Sequence, residues 1–88
     1  MGMAAIKYPA LQVSAATTEL VQGILALYPQ AEILPRLVPL EDEEISVEVK
    51  LPLGEDEIYE ARDYIHDLVI QLQERYDVLI LAYAVPAS

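Results

Sequence analysis

Pro9-Ala10-Leu11-Gln12-Val13-Ser14-Ala15-Ala16 is the stretch on which the fold of this chain turns. Leu11 and Val13 alternate with Gln12 and Ser14, as a half-buried strand requires. The same residues can equally open a helix running to Tyr28, because proline suits the first helical position. We take the strand. A helix then follows, capped by Thr17 or Thr18 and carried by Leu20, Val21, Ile24, Leu25 and Leu27, with Pro29 enforcing its end. Gly23 weakens the middle of that helix by up to ~1 kcal/mol relative to alanine.

Outward from there, residues 33–40 read as a second strand that Pro35 and Pro39 interrupt. Proline has no amide to donate to a central ladder, so this strand belongs at an edge. Glu41-Asp42-Glu43-Glu44 then makes a charged reversal into a third strand. There Ile45, Val47, Val49 and Leu51 alternate with Ser46, Glu48 and Lys50. Leu53-Gly54-Glu55-Asp56-Glu57-Ile58 opens a long helix. With Gly54 as N-cap, Glu57 falls at N3, and Leu53 and Ile58 take the two positions of a hydrophobic staple. Ile58, Ala61, Ile65, Leu68 and Leu72 repeat at three- and four-residue steps, carrying the helix to about Tyr76. Residues 78–85 end the chain as a strand.

The order is β-α-β-β-α-β. This resembles the split βαβ arrangement of ferredoxin-like folds, a two-layer α+β sandwich with an antiparallel sheet and two helices on one face. That topology places the second and fourth strands at the edges, where the prolines are tolerated. Reading residues 9–28 as one helix gives αββαβ instead. Either way residues 1–88 read as one α+β domain.

The terminal strand, Val78-Leu79-Ile80-Leu81-Ala82-Tyr83-Ala84-Val85, is apolar at every position. An antiparallel strand with one wet face alternates apolar and polar residues. This one does not, so both faces are expected to leave water. Either Val78, Ile80, Ala82 and Ala84 or Leu79, Leu81, Tyr83 and Val85 pack under the helices. The other set then needs a cover that a chain this small is not expected to supply. We therefore expect a homo-oligomer, most simply a dimer.

Composition narrows the classes of function. The chain of 88 residues is 55% hydrophobic yet carries a formal net charge of −10, with no cysteine. Disulfide frameworks and Cys-based zinc sites are excluded. Lys7, Arg36, Lys50, Arg62 and Arg75 are scattered, whereas phosphate binding needs clustered cations. Neither nucleic acid nor anionic membrane is therefore an expected partner. The eight-residue apolar run is far short of the ~18–20 residues that cross a bilayer. Residues 1–7 have no basic leader feeding an apolar core, so no signal peptide is read and a soluble cytoplasmic protein is expected.

Sites of chemistry are few. Four sequential acids at residues 41–44 lack the spaced ligands and central glycine of a calcium loop, and are better read as a solvated hairpin tip. The extended strand separates them from Glu55, Asp56 and Glu57 by roughly 25–30 Å. Asp56, Glu60, Asp63, Asp67 and Glu74 make an acidic stripe on the long helix, a solvated face or a surface for a basic protein partner. Beside it lies a flank of Tyr59, Arg62, His66, Ile70 and Gln73. His66 is the single histidine, and no Ser or Cys at a motif spacing accompanies it. Gly2, Gly23 and Gly54 are too far apart to cradle phosphate. No cofactor and no catalytic or metal-binding residue is assigned.

The leading expectation is a protein-interaction or assembly module. Its interface would be formed by Leu79, Leu81, Tyr83 and Val85, bordered by Tyr59, His66 and Ile70. One alternative is a cofactor-independent enzyme with a pocket between sheet and helices, using Tyr59, His66 or Tyr83. Another is an acidic, antitoxin-like partner that covers a basic surface.

Overall fold

In the computed structural model, residues 9–35 and 44–87 are described. The elements run α1 (Pro9–Leu27), β1 (Glu32–Pro35), β2 (Ile45–Leu51), α2 (Glu55–Tyr76) and β3 (Ile80–Pro86). The architecture is α+β, with two helices and a three-stranded mixed sheet ordered β1-β2-β3. β1 pairs antiparallel with β2, and β2 pairs parallel with β3.

The βαββαβ expectation is corrected at its first element. Residues 11–14 lie inside α1, so the helical reading holds and the order among the described residues is αββαβ. Ala16, Leu20 and Ile24, spaced by four, are all fully buried while Thr18 and Gln22 between them are exposed, which fits a helix and not a strand. The expected caps serve a different purpose. Thr17 Oγ1 donates to the Val13 carbonyl at 2.7 Å, and Thr18 Oγ1 to the Ser14 carbonyl at 3.0 Å. Both are mid-helix bonds to residue i−4, not caps. Among the described residues no strand precedes α1, and the sheet is mixed, not the antiparallel one expected. β3 lies directly beside β2, joined to it through α2 as a parallel crossover.

Other expectations fare better. Among the described residues β1 and β3 are the two edges, and β1 contains Pro35. The remainder of the residue 33–40 strand and the Glu41–Glu43 part of the hairpin lie outside the described residues. The terminal strand starts two residues later than expected, at Ile80. α2 begins as its sequence implied: Gly54 is the N-cap, and its amide donates to Glu57 Oε1 at 3.4 Å. Glycine has no side chain to return that bond, so only the reverse half of a capping box forms. At the other end Asp77 adopts the left-handed conformation (φ 54°) and its amide donates to the Gln73 carbonyl at 3.0 Å. That bond closes the last turn.

One apolar layer binds these parts. Ala16, Leu20 and Ile24 of α1 and Ile58, Ala61, Ile65, Val69 and Leu72 of α2 form one cluster. It includes Ile45, Val47, Val49 and Leu51 of β2, and Val78, Ile80 and Ala84 at β3. Both helices therefore cover the same face of the sheet. They run antiparallel, since Gly23 lies against Leu68 while Glu19 meets Arg75. A Cβ built on Gly23 would stand 2.6 Å from Leu68 Cδ2, so its lack of a side chain permits a close approach.

Candidate functional site

β3 settles which of its two apolar sets faces inward. Val78, Ile80 and Ala84 are buried, and Ala82 packs against the same core. The alternate set, Leu81, Tyr83 and Val85, is half-buried on the other side, and Leu79, just before the strand, is 55% exposed. None of these four is part of the helix-covered core.

The register fills in the rest of that face. Leu81 is beside Ser46, Tyr83 beside Glu48 and Val85 beside Lys50, while Leu34 and Glu32 of β1 flank Glu48 and Lys50 from the other edge. β3 thus carries an apolar row and β2 a polar one. Glu32 and Lys50, opposite in sign, are register partners across the first pair. Ser46 is buried, 6% exposed, and its Oγ has no hydrogen-bond partner.

The other expected contact residues lie on α2. Tyr59 (66% exposed), His66 and Ile70 follow one another along an exposed flank. Arg62 lies between them with its guanidinium 5.5 Å from the Tyr59 ring centroid, a cation–π distance. Tyr59 and Arg62 also line a groove of about 270 Å³ with Glu55, Ile58 and Pro86. The seven expected interface residues therefore form two groups. Leu79, Leu81, Tyr83 and Val85 belong to the sheet face away from the helices, and Tyr59, His66 and Ile70 to the helical layer.

This separation bears on the enzyme alternative. Tyr83 lies on the sheet face away from α2, which carries both Tyr59 and His66, so the three do not line one pocket. A second groove of about 290 Å³ is formed by Leu27, Tyr28, Pro29, Gln30, Pro52 and Leu53. Its titratable group is Tyr28, whose pKa is pushed up by burial and then by Glu60 and Tyr64. No acid–base pair accompanies it there. Among the described residues no group of three or more His, Cys, Asp or Glu is placed to hold a metal ion. No helix among them is long and apolar enough to cross a membrane. Asp56, Glu60, Asp63, Asp67 and Glu74 are all exposed, as the stripe implied.

Sequence reasoning missed two contacts. Arg62 and Gln73, placed correctly on the α2 flank, reach over and bond the backbone of β3. A crossover helix must overhang one side of its strand, and that was the available signal. The second miss joins the helices. Arg75 Nη1 donates to Glu19 Oε1 at 2.8 Å, and the neighbouring Tyr76 hydroxyl, followed by Arg75, holds Glu19 below the usual carboxylate range. Glu19 Oε2 is buried without a well-formed hydrogen bond. Compared with protein-family models, curated proteins and solved structures, the chain matches none.

Proposed function

We propose that this chain is a soluble, cytoplasmic assembly module that pairs with a second copy through the face of its sheet away from the helices. One observation carries this reading: β3 is apolar on both sides, and its Leu81, Tyr83, Val85 side is not part of the helix-covered core. Burying such side chains contributes about 1.5–3 kcal/mol each, a considerable share of the ~5–15 kcal/mol stability of a domain.

The size of the face sets the strength. Seven residues of strand span about 23 Å and three strands about 14 Å, so the footprint is at most roughly 320 Å². A standard interface uses about 800 Å² per partner. The association is accordingly expected to be weak and dependent on concentration. Sedimentation velocity tests it. A dimer should populate as the wild-type protein reaches high micromolar concentration, and Leu81→Glu should be folded and monomeric there. A wild-type chain that stays monomeric throughout that range would end this reading.

The acidic stripe supports a second reading, because all five of its carboxylates reach solvent on one side of α2. A basic protein docked there would be retained at low salt and released at high salt, since exposed attraction is screened.

A further inference from the structure

Successive residues of a strand direct their amide and carbonyl groups to opposite sides of it, which identifies the outward groups of β3. The Leu79 carbonyl accepts from the amides of Glu44 and Ile45 at 2.9 and 3.1 Å, and the Ala87 amide donates to the Leu51 carbonyl at 2.8 Å. Odd-numbered residues therefore face β2. Ile80, Ala82, Ala84 and Pro86 turn their backbone groups to the outer edge.

That edge is partly closed from above. The Ile80 amide donates to Gln73 Oε1 at 2.9 Å. The Ala84 carbonyl accepts from Arg62 Nε at 3.0 Å. Pro86 has no amide hydrogen to offer. Both closing side chains come from α2, and they take one donor near the start of the strand and one acceptor near its end.

The choice of groups is informative. When two copies of β3 pair antiparallel across a two-fold axis at Ala82, Ile80 of each faces Ala84 of the other. Two bonds join each such pair, and one of them runs from the Ile80 amide of one copy to the Ala84 carbonyl of the other. These are the two groups that Gln73 and Arg62 occupy. The strand needs such protection: residues 80–85 are six uncharged apolar residues without proline, the composition that templates strand addition when an edge is open.

We infer that Arg62 and Gln73 are edge guards, which close β3 against the β3 of a second copy and so confine self-association to the sheet face away from the helices. The guarding half stands on the two bonds alone; the confinement to that face rests on the function proposed above.

The test removes the guards while keeping their apolar stems, in Arg62→Met/Gln73→Leu, and follows sedimentation velocity over a concentration series. The wild-type protein should stop at a discrete small species, whereas the double variant should build a growing ladder of larger ones. Adding Ala82→Pro, which deletes the central outward amide, should abolish the ladder. Adding Ala82→Cys instead should give a disulfide-linked dimer under mild oxidation. Paired residues of this kind lie about 5.5 Å apart at Cα, within disulfide reach.

A double variant with native circular dichroism and wild-type sedimentation overturns the guard assignment. So does a ladder that Ala82→Pro leaves intact. Should the double variant fail to fold, Gln73→Leu alone decides by amide exchange. The Ile80 amide should exchange about tenfold faster while helix amides are unchanged, and Gln73→Glu, which keeps an acceptor oxygen, should restore protection. Unaltered Ile80 exchange in Gln73→Leu counts against the guard. The two readings fail separately. A monomeric wild type beside a double variant that stops at a dimer removes the sheet-face contact alone, because a two-fold β3 pairing closes on itself. A wild-type dimer that Leu81→Glu dissolves, beside an unchanged double variant, removes the guard alone.

Discussion

The two edges of this sheet solve the same problem by different means. β1 has four residues, and in its register with β2 only Ile33 and Pro35 turn their backbone groups outward. Brevity and one missing amide leave little for another chain to join. β3 has seven residues and presents Ile80, Ala82 and Ala84 before Pro86 ends the row. A proline cannot protect the middle of that strand without loss of apolar surface that the core needs. Two side chains of α2 cover backbone groups on either side of that middle instead. A short edge can be blunted from within its own sequence, whereas a long apolar edge has to borrow polar groups from the layer above.

The largest difference between the edges should appear in the core. Ile80 is 7% exposed beneath the helices, so Ile80→Glu should cost on the order of 4–5 kcal/mol and bring the chain close to unfolding. Leu81→Glu, one residue along but on the face away from the helices, should cost about 1 kcal/mol. Urea titration monitored by circular dichroism checks both. Equal losses would show that the two faces of β3 are equally internal.

A milder pair compares the edges directly. Ile80→Ala should destabilise by roughly 3 kcal/mol, because it opens a cavity in a closed core. Ile33→Ala, at a half-buried position of β1, should cost about 1 kcal/mol. A cost at Ile33 as large as that at Ile80 would mean that β1 contributes as much to the core as β3, against the burial of the two strands.

Much of the β3 side was legible because its signals are local. The alternation of residues 45–51, the Leu53–Gly54–Ile58 helix start and the three-four spacing from Ile58 to Leu72 each fall within one element. The β1 side was not. Leu11 and Val13 satisfy a two-residue and a helical period equally, and Thr17 and Thr18 look like caps until their hydroxyls are seen bonding backward to Val13 and Ser14. What selects the helix is tertiary: Ala16, Leu20 and Ile24 have somewhere to go only because α2 presents Leu68 and its neighbours. The inward face of β3 was illegible for another reason, since a strand apolar on both sides carries no period to read. The edge guards depend on where a helix lies over a strand, which no spacing within α2 can reveal.

The helix that guards β3 is itself positioned by α1, and Gly23 probes that seating. Gly23→Ala gains up to ~1 kcal/mol of helix propensity, but its Cβ would stand 2.6 Å from Leu68 Cδ2. Leu68 ends in a flexible side chain that can yield, so the net change should stay within about 1 kcal/mol. Gly23→Val has no such gain and should destabilise by about 2 kcal/mol through overpacking. Thermal unfolding of the two variants tests the contact. A harmless valine would show that the helices approach less closely at Gly23.

The smallest expected effect is at the other flank of α2, and it depends on pH. Glu19 bonds Arg75, and the Tyr76 hydroxyl and Arg75 together lower its pKa from the ordinary value of 4.5. A carboxylate with a lowered pKa in the folded state binds its proton more readily when unfolded. Its contribution is thus complete at neutral pH. It declines as pH falls from 4.5 through the lowered folded value, and is absent once both states are protonated. Glu19→Gln should therefore melt slightly below the wild-type protein at pH 7, and the gap should narrow steadily toward acid. High salt should shrink the neutral-pH gap too, because the pair is partly exposed. A gap that stays constant with pH and salt would assign the contact between Glu19 and α2 to packing alone. The guards' helix would then be held over β3 by its apolar stripe, with no electrostatic share.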